Sequence, residues 1–413
     1  MIIYKNIYQL IFYLITILIF VVGGWLQFFL GIPNTILTVF IVITMYLTYL
    51  IYALLKNRIV VNRIALISLM YLAIIVYSGF YNSSNIASIL IYFIFSLLPF
   101  GVFLFAYINY KENYINSKQI FSFFLSIALI QLPIIISQYF FYDFLIKFNN
   151  SHQQIASFDF LFGSFFLKSD HSLGFFLILI LLKIILNIDN IKAEIKFPKT
   201  IITYISITIL LAQSNISKLF LILLLASTAV IFLYKRYQNT TYFKLGLVIF
   251  LVTIFVVSLS VKNSEFVNQK MGGTIEKQFS LKKSYTDYNK NNAKRMQILI
   301  VVFSKLKTKW IGDGPYSYFN ILTGKFKKTN HFSQIIWSYF DLGIVGLIII
   351  FSLMYNLVRY MNIERGLPFI IFFGIFLIYS LYTTTFSDIA IITSMLMMFN
   401  KKKTNEHSCN TIS

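Results

Sequence analysis

The groups best suited to chemistry lie between residues 290 and 346. Arg295 stands in NNAKRMQIL at the head of an apolar run, beside Lys290 and Lys294. Its guanidinium offers a fixed fork of donors matched to phosphate oxygens, and the free amides of a helix start would add to an anion site. His331 comes where the chain enters its next apolar segment. An imidazole titrates near neutrality, so it can take a proton from a hydroxyl or hydrogen-bond a diphosphate. Between them runs GDGPYSY, a turn with Gly312, Gly314, Pro315 and Tyr316, and ten residues past His331 an aspartate, Asp341, falls inside the apolar segment. A second set precedes other apolar runs: Lys218 in QSNISKLFL, and Lys168, Asp170 and His171 in GSFFLKSDHSLGFF.

Each of these has a plainer reading. An outer arginine binds water or lipid headgroups, a histidine simply tops a helix, and a lysine at a helix mouth snorkels to the interface. Asp341 is an intramembrane acid and so a functional candidate by default, but it reads as supporting: it is equally suited to packing against a Ser or Tyr. His152 and His407 read as solvated.

Absent motifs narrow the chemistry. The chain has no G-x-x-x-x-G-K-[ST], no G-x-G-x-x-G after a strand, no H-E-x-x-H and no paired acids of the D-x-D kind. Its 14 acids are scattered. ATP-driven and metal-dependent reactions both lose ground, and no cofactor or metal is expected. The single Cys409 allows no intrachain disulfide.

What must position these residues is a membrane fold. Of 413 residues, 58% are hydrophobic and 12% charged, far outside the range of a soluble domain. A hydrocarbon core about 30 Å thick takes about 20 apolar residues per helical crossing. Runs such as LILLLASTAVIFLY are apolar on every side, which excludes the two-residue period of a transmembrane barrel. The fold class expected is an all-α integral membrane protein of about 12 helices, near 8–30, 35–54, 62–81, 86–108, 120–141, 171–188, 201–213, 218–234, 245–261, 334–358, 367–386 and 387–400. The seventh and twelfth are short. The first is read as a retained helix, since no small-residue cleavage site follows it.

Charge sets the orientation. With the N-terminus inside, the inner loops and tail hold 17 Lys or Arg, while the short outer turns hold almost none. Both termini therefore face the cytoplasm, and the net charge of +21 reports topology rather than nucleic-acid binding. Two outer segments are long: 142–170, and 262–333, whose 14 basic and four acidic residues give a net +10. Within the latter, MQILIVVF (296–303) is too short to span and reads as a helix lying at the outer interface. The whole is read as one polytopic domain with a large extracytoplasmic loop at 262–333 and a cytoplasmic tail at 401–413.

The order of Arg295 at a helix head, the G-x-G-P turn of Gly312, Gly314 and Pro315, His331 at a helix start, and then D-x-G-x-x-G (Asp341, Gly343, Gly346) resembles the O-antigen polymerase and O-antigen ligase superfamily. The motifs cover roughly residues 290–350; elsewhere the similarity is one of topology. The resemblance implies a metal-independent, inverting glycosyltransferase of the bacterial inner membrane, working on the periplasmic face. Its donor would be an oligosaccharide on undecaprenyl diphosphate. By the same resemblance Arg295 binds the diphosphate, and His331 acts as base on the acceptor hydroxyl or as a diphosphate ligand.

Lys218 would stand where the family carries an arginine in a Ser-Arg-Gly-like turn. Lys294, Lys168, Gly312, Gly314 and Tyr316 would complete the substrate site, with Gly163-Ser-Phe165 near Lys168. A flippase, a chain-length regulator and membrane lipids are the partners implied. The function expected is polymerisation of lipid-linked repeat units into O-antigen or a similar surface polysaccharide. A ligase moving glycan onto lipid A core uses the same chemistry. A lipid-linked-sugar transporter fits less well, because the firm spans hold few ionisable residues beyond Asp341 and Lys183 and no pair of broken helices is evident.

Overall fold

The structure, a computed structural model, describes residues 2–57, 59, 62–153, 155, 157–167, 169–186, 195–212, 214–236, 295–325, 333–361, 363 and 366–399. Helices account for nearly all of it: α1 (Ile2–Leu30), α2 (Asn34–Lys56), α3 (Arg63–Tyr81), α4 (Ile86–Glu112), α5 (Ser117–Phe140), the short α6 (Tyr142–Leu145), α7 (Asp170–Leu186), α8 (Pro198–Leu211), α9 (Asn215–Arg236), α10 (Arg295–Lys305), α11 (Ser317–Lys325), α12 (Gln334–Tyr360), α13 (Leu367–Tyr382) and α14 (Ile389–Met398). No strand occurs among the described residues.

Six of these, α1 to α5 and α12, are long and apolar enough to cross a membrane. The expected spans near 201–213, 367–386 and 387–400 appear as shorter helices of 14, 16 and 10 residues, and the expected span at 245–261 lies outside the described residues. The turns are short and capped where the sequence offers asparagine. Asn62, Asn85 and Asn116 each accept a first-turn amide of α3, α4 and α5, and Asn116 forms a capping box with Gln119.

By its contacts the chain divides into two compact units: residues 1–217, 307–318 and 331–413 form one, and residues 218–306 and 319–330 the other. In the first, α12 packs along α3 and α13, α2 along α4, and α8 along α5 and α7. The short helices α7 and α14 are buried on nearly every side, as helices apolar all round must be. On α1, α2 and α3 large apolar residues such as Leu14, Phe40, Ile43, Leu47 and Leu66 face outward. That belt suits hydrocarbon rather than water. In the second unit, Ile298 and Val302 are buried one turn apart on α10 while Ile300 and Phe303 are exposed, an amphipathic pattern.

Two helices depart from the uninterrupted spans expected. α1 carries a π-helical stretch at Leu18–Val22, just before Gly23 and Gly24. At Gly24 the backbone of 164–165 approaches so closely that any Cβ would meet the Phe165 carbonyl. α12 is broken at Gly343, whose backbone (φ 68°, ψ −161°) is not helical. The amides freed by the break are not left bare. Ile344 N–H donates to the Lys309 carbonyl (2.8 Å) and Val345 N–H to that of Trp310 (3.2 Å). Irregular backbone at membrane depth is tolerated only where protein satisfies it, and the 307–318 segment does so here. Gly343→Ala puts a Cβ against the Trp310 carbonyl in a left-handed conformation and is expected to destabilise the fold by more than the 1–2 kcal/mol of the backbone term alone, read as a lower melting temperature in detergent.

Candidate functional site

The GDGPYSY turn is fastened to α12 on the N-terminal side of the helix break. Asp313 N–H donates to the Phe340 carbonyl (2.9 Å) and Gly314 N–H to that of Asp341 (3.1 Å). Asp341, fully buried, receives three hydrogen bonds: Oδ1 from Tyr318 N–H (2.8 Å), Oδ2 from Tyr316 N–H (2.9 Å) and from Trp337 Nε1–H (2.7 Å). Tyr316 sits at φ 68°, an uncommon backbone conformation for a bulky residue, and its bond to Asp341 holds it there. From α3, Ser78 Oγ donates to the carbonyls of Asp341 (2.9 Å) and Ile311 (3.1 Å), and Asn82 Nδ2 to that of Gly312 (3.1 Å).

Gly312 (φ 81°) lies flat on α12; a Cβ there would come within 2.6 Å of the Asp341 carbonyl. The turn is thus an anchor, and Asp341 its keystone, in the supporting role its position suggested. Its partners are two backbone amides and a tryptophan. Burial pushes the Asp313 carboxyl above the usual carboxylate range, against the lowering effect of the Lys307 amide that it accepts at 2.7 Å.

The expected reacting residues flank this anchor along the chain. Arg295 opens α10, which precedes the turn in the chain, although its side chain lies outside the described residues. His331, Lys294 and Lys168 also lie outside them. Lys218 is buried, 6% exposed, in the first turn of α9. Two residues after His331, Ser333 caps α12 by accepting from Ile336 N–H (3.2 Å) and donates to the Ser380 carbonyl of α13 (3.2 Å). Gln334 N–H adds a bond to the Thr383 carbonyl (3.1 Å), and Phe386 N–H one to Gln334 Oε1 (3.2 Å).

Two further polar groupings emerge that residue types alone did not isolate. In the first, the non-helical stretch 161–167 is buried, and glutamines from neighbouring helices satisfy its backbone. Gln138 both donates to the Gly163 carbonyl (2.7 Å) and accepts from its N–H (2.9 Å); Gln131 accepts from Ser164 N–H (3.0 Å) and Gln27 from Leu167 N–H (2.9 Å). Gly163, Ser164 and Phe165 therefore serve as a buried structural segment. The signal in the sequence was three glutamines inside apolar helices, each costly unless partnered. Gln138→Leu orphans two backbone groups at about 1–3 kcal/mol each and is expected to lower the melting temperature in detergent by several degrees. Beside this pair an apolar groove of about 480 Å³ opens, lined by Trp25, Phe29, Pro133, Phe141 and Phe162.

The second grouping joins α7, α9, α13 and α14. His171 Nδ1 lies 3.2 Å from Ser214 Oγ and 3.5 Å from Asp170 Oδ2. Ser217 Oγ bonds Ser214 Oγ (2.6 Å) and the Tyr379 hydroxyl (2.6 Å). Ser172 donates to Asp388, which caps α14 through Ala390 (3.0 Å) and Ile391 (3.1 Å) N–H.

Among the described residues no group of three His, Cys, Asp or Glu is placed to hold a metal ion. Fold and site together define an all-helical, membrane-embedded protein with its buried polar groups gathered where helices end or break. Comparison with family models, with curated proteins and with solved structures finds no match.

Proposed function

We propose that the protein is a membrane glycosyltransferase that joins oligosaccharide units carried on undecaprenyl diphosphate into a surface polysaccharide, on the outer face of the bacterial cytoplasmic membrane. The observation that supports it is that residues 307–318, which lie between Arg295 and His331 in the sequence, are held on α12 by the Asp341 anchor, and that Ser333, two residues after His331, is bonded to α13. A lipid diphosphate is its own activated leaving group, so the protein need supply only positive charge for the departing diphosphate and a proton acceptor for the incoming hydroxyl. The outer loop, with its net +10, and Arg295 provide the first. The groove beside Gly163 has a volume and apolar lining suited to part of an isoprenoid tail.

The break in α12 invites comparison with transporters, whose discontinuous helices coordinate substrate near the bilayer midplane. Here the freed amides and both oxygens of Asp341 are engaged by the chain itself, which favours an anchoring role over an ion or substrate site. Deleting the gene should leave surface glycan of single repeat units. Retained full-length chains would refute the polymerase, and finished polymer left on its lipid carrier would point to a ligase.

A further inference from the structure

We propose that His171 takes the acceptor hydroxyl's proton in the glycosyl transfer, with Asp170 and the hydroxyl chain Ser214–Ser217–Tyr379 as positioning residues; this rests on the function proposed above. A carboxylate only accepts, so the nearness of Asp170 to Nδ1 favours the tautomer with hydrogen on that nitrogen and a lone pair on Nε2. Among the described residues Nε2 has no hydrogen-bond partner, and the side chain remains 34% exposed. The groups behind it are the reverse: Ser214, Ser217 and Tyr379 are fully buried. A Cβ on Gly174 would collide with Ser217 Oγ, so the glycine is what lets α7 and α9 approach closely enough for the chain to form.

Tyr379 is one residue before Ser380, which receives the cap of α12 just past His331, and Ser172 bonds Asp388 at the end of the same 379–388 stretch. The base and the start of α12 are thus fixed to a single turn. The titratable groups around the imidazole are Asp170, Asp388 and Tyr379, and Lys218 follows Ser217 directly in α9. In the step, the acceptor oxygen bonds to the anomeric carbon and the bond from that carbon to the diphosphate oxygen breaks, its electron pair leaving with the diphosphate. The acceptor's proton passes to His171 Nε2.

The test uses the full-length protein in proteoliposomes, with lipid-linked oligosaccharide extracted from a strain lacking the gene. His171→Ala is expected to lower turnover by about 100-fold or more while the KM for the lipid-linked donor stays within about threefold, with partial rescue by added imidazole. His171→Gln, similar in size, should fold normally and lose the acid limb of the rate–pH profile; Tyr379→Phe should shift that limb with a smaller loss. Turnover of His171→Ala within about threefold of wild type, or a loss in both His171 variants with no imidazole rescue and an unchanged pH profile, would overturn the inference and leave the glycosyltransferase reading standing. A wild-type protein that forms no glycosidic bond from this donor would overturn that reading itself.

Discussion

Arg295→Ala and His331→Ala are each expected to abolish long-chain glycan while the protein still inserts in the membrane. A donor aimed at charge that develops on a leaving group contributes about 100- to 1000-fold to rate. Losses of that size leave only single units on a gel of surface polysaccharide, with the variant still present in the membrane fraction. Arg295→Lys keeps the charge and loses the bidentate fork, so partial chain extension is expected. Wild-type chain lengths from both alanine variants would refute the assignment.

The largest effect on stability is expected at Asp341. Alanine there strands the amides of Tyr316 and Tyr318 and the indole N–H of Trp337, three buried donors at about 1–3 kcal/mol each. A cost near or above 4 kcal/mol would place the substitution among the exceptional ones, and the GDGPYSY turn would release from α12. Asp341→Asn retains one acceptor oxygen but turns an NH2 toward groups that themselves donate, so an intermediate loss is expected. Trp337→Phe removes a single donor together with its acceptor bond and should cost least of the three. Thermal unfolding in detergent ranks them; an unchanged melting temperature for Asp341→Ala would show that the anchor contributes nothing.

Part of the architecture was legible because long apolar runs are local features. Helices Asn34–Lys56, Arg63–Tyr81 and Gln334–Tyr360 begin and end within a few residues of their expected bounds. What the sequence concealed depends on contacts between distant segments. The break at Gly343 is stable only because residues 309 and 310, more than 30 positions earlier, accept the freed amides. Gly163-Ser-Phe165 lay in a segment expected to be an outer loop, and only the three glutamines from α1 and α5 make its burial tolerable.

Asp341 was visible as an anomaly from its charge alone, but its partners were not. His171 and Asp170 stood out by position at a helix mouth. Ser214, Ser217 and Tyr379, three ordinary polar residues, became meaningful only when α7, α9 and α13 were brought together.

The most direct measurement is reconstitution of the purified protein in liposomes with lipid-linked repeat units as the sole substrate, without nucleotide or divalent metal. Oligomers of two or more units, still on the lipid carrier, are expected together with release of free undecaprenyl diphosphate, and neither product from Arg295→Ala. Movement of the lipid-linked unit across the bilayer with no new glycosidic bond would contradict this.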